Sequence, residues 1–545
     1  MFGDYEAQRH WMELTTNLPI SQWYFHDLSW WGLDYPPLTA YHSWFLGKIG
    51  GLISSKWFAL YTSRGIDDAG LKVFMRATVI ISEFLIYVPA VVIFVRRFSK
   101  LGRVSSWNAS VALVAILMQP ALILIDHVHF QYNSVMLGLV VAAMSSVLAG
   151  RLLWSCVFFV LALGFKQMAL YYAPAIFAYL LGVCVFPKIN VPRLFSIAVV
   201  TAATFAALLL PLYLGALYDS YRGIDAQPEL EGKIGLLAIF PELGLRLDTD
   251  AWYYPIVQQT TQLLHRVFPF ARGLFEDKVA NFWCAANLVH KLGRYPQDIL
   301  QKASLLLTLA GISIPCLTLF LKPKKELLPI ALASTSWAFF LFSFQVHEKS
   351  VLLPLMPMTM LLAGHDGFNA WTKSWITFAN ILGTWTLFPL LKRVGLQIPY
   401  FVLLGLWIYG MYMVPATPST TPQPEQDFSK QYFPPDISAA EKERQIAMLK
   451  EQANDIYDIG SYTWGQILTI LIQAFFYQIM TAWHIVEAFS QPPETLPDLF
   501  VVGNVGIGAV GFVIVWIWCM IRLVSESGIF QDNTTQLAIE AKKKQ

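Results

Sequence analysis

Long apolar runs joined by short polar loops are the feature that most constrains this chain. A hydrocarbon core about 30 Å thick is crossed by about 20 apolar residues in a helix, and tilt or partial burial allows shorter ones. Because the bilayer core offers the backbone no water, such runs are expected to be helical. The sequence therefore predicts an all-α polytopic membrane protein with about thirteen transmembrane helices, at 78–97, 107–125, 134–149, 152–166, 168–186, 194–215, 300–321, 327–344, 350–363, 371–391, 399–414, 463–488 and 500–522.

Composition agrees with a lipid environment. Charged residues make up 14% of the chain and hydrophobic residues 56%, whereas soluble proteins carry roughly 25% charged residues. The formal net charge is +2, and without a basic domain no nucleic-acid partner is expected. Four of the five cysteines lie inside apolar runs, where they act as small hydrophobes and do not suggest a disulfide framework.

Short basic loops predict the orientation, since such loops stay in the cytosol. The loops 96–103, 187–193 and 322–326 fall on one side when the spans are counted through. The opposite, non-cytosolic side then receives most of the segments rich in His, Asp, Glu and Gln. Lys392 and Arg393 are the basic residues that fall on the wrong side of this count.

The same count divides the chain into seven regions. They are a first luminal loop with an acidic motif (1–77), the first part of the bundle (78–217), a second luminal loop (218–299), the second part of the bundle (300–414), a cytosolic linker (415–462), a C-terminal hairpin (463–523) and a cytosolic tail (524–545). The terminal "KKKQ" is similar to a dilysine retrieval signal, which predicts a location in the endoplasmic reticulum membrane.

The first polar cluster is "GDYEAQRHWMELT" at 3–15. In a helix, Asp4 would lie at the N-terminus, where a carboxylate is favoured, and Glu6 would share a face with His10. One interpretation is a capped interfacial helix. The other is an acidic catalytic motif at the membrane surface.

The second cluster is "WWGLDYPPLTAYHSW" at 30–44. The two prolines after Asp34 and Tyr35 favour an extended turn and keep the carboxylate out of a helix. The aromatic residues could form a belt at the lipid headgroups, or flat faces on which sugar rings stack. A belt alone does not explain the acidic residue between them.

Further clusters combine cations with carboxylates and amides. They are "DHVHFQYNS" (126–134), "FKQMALYYAP" (165–174), "RVFPFARGLFEDKVANFWC" (266–284) and "FQVHEKS" (344–350). Lys166 follows a strongly apolar run, so it either snorkels or meets an anion such as a lipid phosphate. A metal site at Asp126, His127 and His129 is disfavoured, because two histidines two residues apart lack helical ligand spacing.

Taken together, the motifs resemble the dolichyl-phosphate-glucose-dependent α-1,3-glucosyltransferases of the endoplasmic reticulum, which have the GT-C glycosyltransferase fold with luminal loops forming the active site. The strings that carry the resemblance are "GDYEAQRHWME", "WGLDYPPLTAYHS", "DHVHFQYNS", "FKQMALYYAP", "RGLFEDKVANFWC" and "FQVHEK". "WGLDYPPLT" favours the enzyme that adds the first glucose over the sister enzyme that adds the second.

The resemblance implies a substrate pair and a mechanism. Glucose would pass from dolichyl phosphate glucose to a nine-mannose oligosaccharide on dolichyl pyrophosphate, with inversion and without a cofactor or metal. Asp4 is then expected to be the catalytic base. The expected substrate-binding residues are Glu6, Asp34, Tyr35, Gln131, Lys166, Gln167, Arg272, His347 and Lys349.

The sequence departs from the family pattern in two places, and several alternative functions stay open. The family has a transmembrane segment before the first motif, so this chain is expected to lack that helix. The stretch 218–262 is expected to be either an insertion or an unspliced segment. A flippase or other transporter would place paired charges at mid-membrane in both halves of the chain. A non-catalytic scaffold would need neither Asp4 nor Asp34. The second-glucose transferase and a mannosyltransferase of the same fold also stay open.

Overall fold

The computed structural model describes residues 3–224, 236–238, 244, 247–268, 277–416 and 464–529. Within these ranges the chain is helical and contains no β-strand. The principal α-helices are Asp4–Asn17, Pro37–Ile53, Ala69–Ser82, Val88–Leu101, Ser106–Leu117, Pro120–Ile123, Asn133–Leu148, Leu152–Phe165, Ala173–Val185, Val191–Arg222, Tyr254–Val267, Phe282–Val289, Gln297–Leu321, Leu328–Phe342, Leu352–Met360, Ala370–Thr386, Phe388–Arg393, Gln397–Met413, Trp464–Phe489 and Leu499–Ser527.

Seven helices among the described residues are long and apolar enough to cross a membrane. They are Ala69–Leu101, Ser106–Phe130, Gln167–Val185, Val191–Arg222, Gln297–Leu321, Trp464–Phe489 and Leu499–Ser527. Two of them contain π-helical turns, at Glu83–Tyr87 and Leu124–Phe130. The all-α polytopic prediction is confirmed. The count of thirteen spans stays a prediction. The other expected spans correspond to helices that are shorter than these seven or that include 3₁₀ turns.

The interior of the bundle is formed by short apolar helices that are buried on nearly every face. Asn133–Leu148 and Leu328–Phe342 are of this kind. Asn133–Leu148 approaches the π-helical turn of its neighbour very closely, since a Cβ on Gly138 would lie 2.8 Å from the Tyr87 Cα. A small residue at this crossing lets the two backbones touch.

Polar loop residues far apart in sequence contact one another in at least two places among the described residues. At one of them, Lys324 Nζ donates to the Ser527 carbonyl at 2.9 Å, and Arg522 binds Asp366 at 2.7 Å. At another, Asp4 contacts both His129 and Lys349. Three of the predicted polar clusters, those of Asp4, His129 and Lys349, therefore meet, and their placement on the non-cytosolic side stays a prediction.

The first helix, Asp4–Asn17, is fastened by a buried charge network. Arg9 is fully buried, and its guanidinium lies 2.6 Å from Glu6 Oε1 and 2.8 Å from Glu13 Oε2. Arg9 also donates to Ser63 Oγ at 2.6 Å. Burial raises the pKa of Glu13, but hydrogen bonding to His10 and the charge of Arg9 outweigh burial and hold that pKa at about 2. The network fixes the helix that carries Asp4.

Candidate active site

A cavity of about 580 Å³ lies at the polar end of the bundle. It is lined by the N-terminus of the first helix, the loop before Pro36 and short segments after three apolar helices. Eight of the residues predicted from the sequence line it together: Asp4, Asp34, Tyr35, Gln131, Lys166, Gln167, His347 and Lys349. Residues separated by more than 300 positions in sequence therefore meet in one site.

Asp4 lies in the first turn of its helix and contacts the Lys349 ammonium. His129 Nδ1 lies 3.5 Å from the same carboxylate oxygen. Burial raises the pKa of Asp4, but the charge and hydrogen bond of Lys349, with a hydrogen bond from Gln131, outweigh burial and leave the pKa below its usual value. Asp4 is thus ionised at neutral pH and able to accept a proton.

The loop carrying Asp34 and Tyr35 is held from two sides. Arg266 donates to the Gly32 carbonyl at 2.9 Å and to the Leu33 carbonyl at 3.1 Å. The Tyr35 ring packs on Trp11, with 4.8 Å between ring centroids. The helix Pro37–Ile53 begins at once after this loop, with proline at its first position. Asp34 is therefore presented from a rigid turn, as the two prolines predict.

Lys166 follows the last residue of the helix Leu152–Phe165 and is 7% exposed. Its Nζ donates to Asn133 Oδ1 at 2.6 Å and lies 5.0 Å from the centroid of the Tyr35 ring. Among the described residues, no carboxylate lies within ion-pair distance of it. Lys166 is held by neutral groups, so its charge is available to an anion that enters the cavity.

The segment 347–349 lines the cavity with three ionisable side chains. His347 contacts Asp277, and Arg393 lies 3.2 Å from Glu348. Burial raises the pKa of Glu348, although the charge of Arg393 opposes that shift. Together with the Asp4–Lys349 pair, these contacts place cations directly beside carboxylates.

One predicted substrate-binding residue that the structure describes, Glu6, does not line the cavity. Glu6 is fully buried beside Arg9 and also accepts a hydrogen bond from the Gly65 backbone N–H at 3.1 Å. Its spacing of three residues to Arg9 turns it toward the loop 57–65 rather than the cavity. Arg272 lies outside the described residues.

Arg393, Arg266 and Asn133 line the cavity or support it but were not among the predicted site residues. Arg393 did give a signal, because it and Lys392 were the basic residues on the wrong side of the loop count. A basic pair on the non-cytosolic side is explained here by carboxylate partners, Glu348 for Arg393 and Glu487 for Lys392. Asn133 gave no comparable signal in the sequence.

The side chains of "DHVHFQ" contact separate partners. His127 contacts Glu83, His129 faces Asp4, and Asp126 binds Asn133. These three side chains thus have three different partners. No group of three or more metal-binding side chains forms among the described residues.

Chemically, the cavity combines an ionised carboxylate, several cations and aromatic faces in a partly enclosed space. Carboxylates can accept protons from hydroxyls or hold them. Lysine, arginine and imidazolium groups stabilise phosphate charge. The arrangement suits a reaction between a sugar hydroxyl and a phosphate-bearing substrate at the end of a membrane bundle.

Comparison with known proteins agrees with this chemistry. The family model described as "ALG6, ALG8 glycosyltransferase family" matches residues 1–222 and 248–519. The unmatched stretch between them lies within the expected insertion at 218–262.

Three relatives are similar along almost the whole chain. A "Probable dolichyl pyrophosphate Man9GlcNAc2 alpha-1,3-glucosyltransferase" of Schizosaccharomyces pombe is 43% identical over 527 residues, covering 96% of this chain and 86% of the relative. The Saccharomyces cerevisiae protein, named without "Probable", is 42% identical over 96% of this chain and 86% of its own length. The Gallus gallus protein of that name is 33% identical over 97% and 92%. The chain therefore belongs to the ALG6, ALG8 glycosyltransferase family.

Proposed function

We propose that this protein transfers glucose from dolichyl phosphate glucose to the dolichyl-pyrophosphate-linked Man9GlcNAc2 oligosaccharide, forming an α-1,3 linkage. The observation that carries the proposal is the ionised Asp4 beside Lys349 and near Lys166 in one cavity. A base and phosphate-binding cations are the groups that this reaction needs. The names of the relatives support the acceptor and the linkage, and the family supports the donor.

In the proposed reaction Asp4 is the general base. The attacking mannose hydroxyl bonds to glucose C1 while the bond from C1 to the phosphate oxygen breaks. The hydroxyl proton passes to the Asp4 carboxylate, a step typically worth about 10²–10⁴ in rate. The donor bond is β and the product bond is α, so a single displacement with inversion accounts for the stereochemistry.

The leaving group is dolichyl phosphate, an anion that requires no general acid. Lys166, Lys349 and His347 are the proposed groups that hold its oxygens as negative charge increases. Lys349 contacts Asp4 in this structure. A donor phosphate would compete for that ammonium and so release the carboxylate for the acceptor hydroxyl.

The remaining cavity groups are proposed to bind sugars. Asp34 would accept hydrogen bonds from sugar hydroxyls, and Gln131 and Gln167 would contribute amide contacts. The Tyr35 face would pack against a sugar ring. Because dolichol-linked oligosaccharides are built in the endoplasmic reticulum, we place the protein in that membrane with the cavity facing the lumen and the basic loops in the cytosol.

The proposal is tested with purified protein, dolichyl phosphate glucose and two acceptors, the Man9GlcNAc2 lipid and its monoglucosylated form. We expect glucose transfer to the first acceptor. Transfer to the monoglucosylated form alone would assign the sister activity. If neither acceptor is glucosylated and labelled lipid-linked sugar instead crosses proteoliposome membranes, the transporter alternative replaces the proposal.

A further inference from the structure

A buried chain of hydrogen bonds leads from the cavity into the bundle behind Lys166. Lys166 Nζ donates to Asn133 Oδ1 at 2.6 Å, and Asn133 Nδ2 donates to Asp126 Oδ1 at 2.8 Å. The second Asp126 oxygen accepts from the Ser134 backbone N–H at 2.6 Å. Asp126 is fully buried and does not line the cavity. It is therefore connected to the cavity through other side chains.

The donors and acceptors in this chain fix the orientation of the Asn133 amide. A side-chain amide has one oxygen that accepts and one nitrogen that donates. Since a carboxylate offers only acceptors, Asp126 must face the amide nitrogen of Asn133. The amide oxygen then necessarily points toward the Lys166 ammonium.

Asp126 also orders a second Lys166 contact through its backbone. It belongs to the π-helical segment Leu124–Phe130, and its carbonyl accepts from the Gln131 N–H at 3.1 Å. The Gln131 side chain in turn places Oε1 at 3.4 Å from Lys166 Nζ. π-Helical turns occur frequently at functional sites. The Asn133 contact depends on the Asp126 side chain, whereas the Gln131 contact adjoins the Asp126 backbone and is kept in a side-chain variant.

We propose that Asp126 is a positioning residue, which orients Asn133 and through it holds the Lys166 ammonium ready for the donor phosphate. The inference rests on the proposed function, because the phosphate in question is that of the proposed donor. Asp126 itself touches neither substrate nor reacting atoms.

A merely structural role would rest on the Ser134 contact alone. The helix Asn133–Leu148 begins here, and its first N–H groups lack partners within the helix. A carboxylate that satisfies one of them stabilises the helix end regardless of Lys166. A test must therefore separate the helix-capping contact from the contact to Asn133.

The measurement is the affinity of the purified protein for dolichyl phosphate, compared between the wild type and three variants. Asp126→Asn should weaken binding about tenfold or more, because an amide has one acceptor oxygen where the carboxylate has two, so the charge is lost and the Asn133 and Ser134 contacts cannot both be kept. Asn133→Ala, which keeps the contact between Asp126 and Ser134, should weaken it similarly. Glu83→Gln is the matched control, since it alters a buried carboxylate that contacts His127 instead, and it should leave binding unchanged.

A double-mutant cycle gives the decisive comparison. In a Lys166→Met background, Asp126→Asn should cause no further loss of binding, because its effect passes through Lys166. Additive losses would overturn the proposal. So would wild-type affinity in Asn133→Ala, a variant that does not remove the helix cap.

Glucose transfer by the wild-type protein is measured in the same preparation. If the wild type binds dolichyl phosphate but transfers no glucose, the proposed function fails on its own. A non-additive cycle in that protein would still support the positioning role of Asp126. The two failures are therefore distinguishable.

Discussion

At the residue scale, the ionised state of Asp4 depends on the neighbouring Lys349 ammonium. Burial alone would raise the pKa of this carboxyl, and Lys349 is the largest influence in the opposite direction. Asp4 must be ionised to act as a base, so the pH dependence of transfer reports on this pair.

Replacing Lys349 by Met should therefore move the acid limb of kcat/KM to higher pH. Without the ammonium, burial dominates and the pKa of Asp4 rises, so the base is protonated, and inactive, at pH values where the wild type still works. The rate at the optimum should also fall, since a phosphate contact is lost. The measurement is a pH–rate profile of glucose transfer.

Lys278→Met is the matched control for that profile. Lys278 contacts Asp498 and does not line the cavity. Its removal should leave the acid limb in place. An unmoved acid limb in Lys349→Met would contradict the assignment of Asp4 as the group that titrates.

At the element scale, the first helix is held by a buried ion network in addition to apolar side chains such as Trp11 and Met12. Arg9, Glu6 and Glu13 are all fully buried. Breaking a buried ion network by removing one partner is costly, because the remaining charges keep their desolvation penalty. The position of Asp4 thus depends on Arg9.

Arg9→Met should lower the free energy of unfolding by about 3–5 kcal/mol. The reason is that two buried carboxylates lose their common partner. Thermal or denaturant unfolding in detergent measures this loss. Lys72→Met is the comparison, because the pair of Lys72 with Asp67 is exposed and contributes little to stability. Equal losses in the two variants would contradict the account of the network.

Helix crossing in the interior gives a second prediction at this scale. A methyl group on Gly138 would meet the Tyr87 backbone at 2.8 Å, whereas one on Gly405 meets nothing within 4 Å. Gly138→Ala should therefore destabilise the bundle by about 1–3 kcal/mol through overpacking. Gly405→Ala should leave the free energy of unfolding unchanged in the same experiment. A wild-type free energy of unfolding for Gly138→Ala would contradict the close helix crossing.

At the scale of the whole molecule, the sequence predicted the class of fold and the gathering of polar clusters. Apolar run length predicts helices, which the described residues confirm. Basic loops predict which segments share a side of the membrane, and that sidedness stays a prediction, although Asp4 and Lys349 do meet. Eight of the nine predicted site residues that the structure describes line one cavity. Motif resemblance supplied most of these, since periodicity alone could not choose them.

Other features could not be predicted from one sequence. Glu6 and Asp4 are both carboxylates, two residues apart in the first helix. The turn of the helix directs Asp4 to the cavity and Glu6 to the buried ion pair with Arg9. The link from Asp126 to Lys166 joins residues 40 apart through a neutral amide. The π-helical turns that shape it leave no hydropathy signal. Tertiary packing determines all three.

The central claim is that this protein transfers glucose and that Asp4 is the general base of the reaction. The most direct test is the rate of glucose transfer to the Man9GlcNAc2 lipid by Asp4→Asn, compared with Asp67→Asn, an exposed carboxylate at the same end of the chain. Both variants must first show wild-type unfolding behaviour. The account predicts a loss of about 10²–10⁴-fold for Asp4→Asn alone. Transfer at the wild-type rate by a folded Asp4→Asn protein would contradict it.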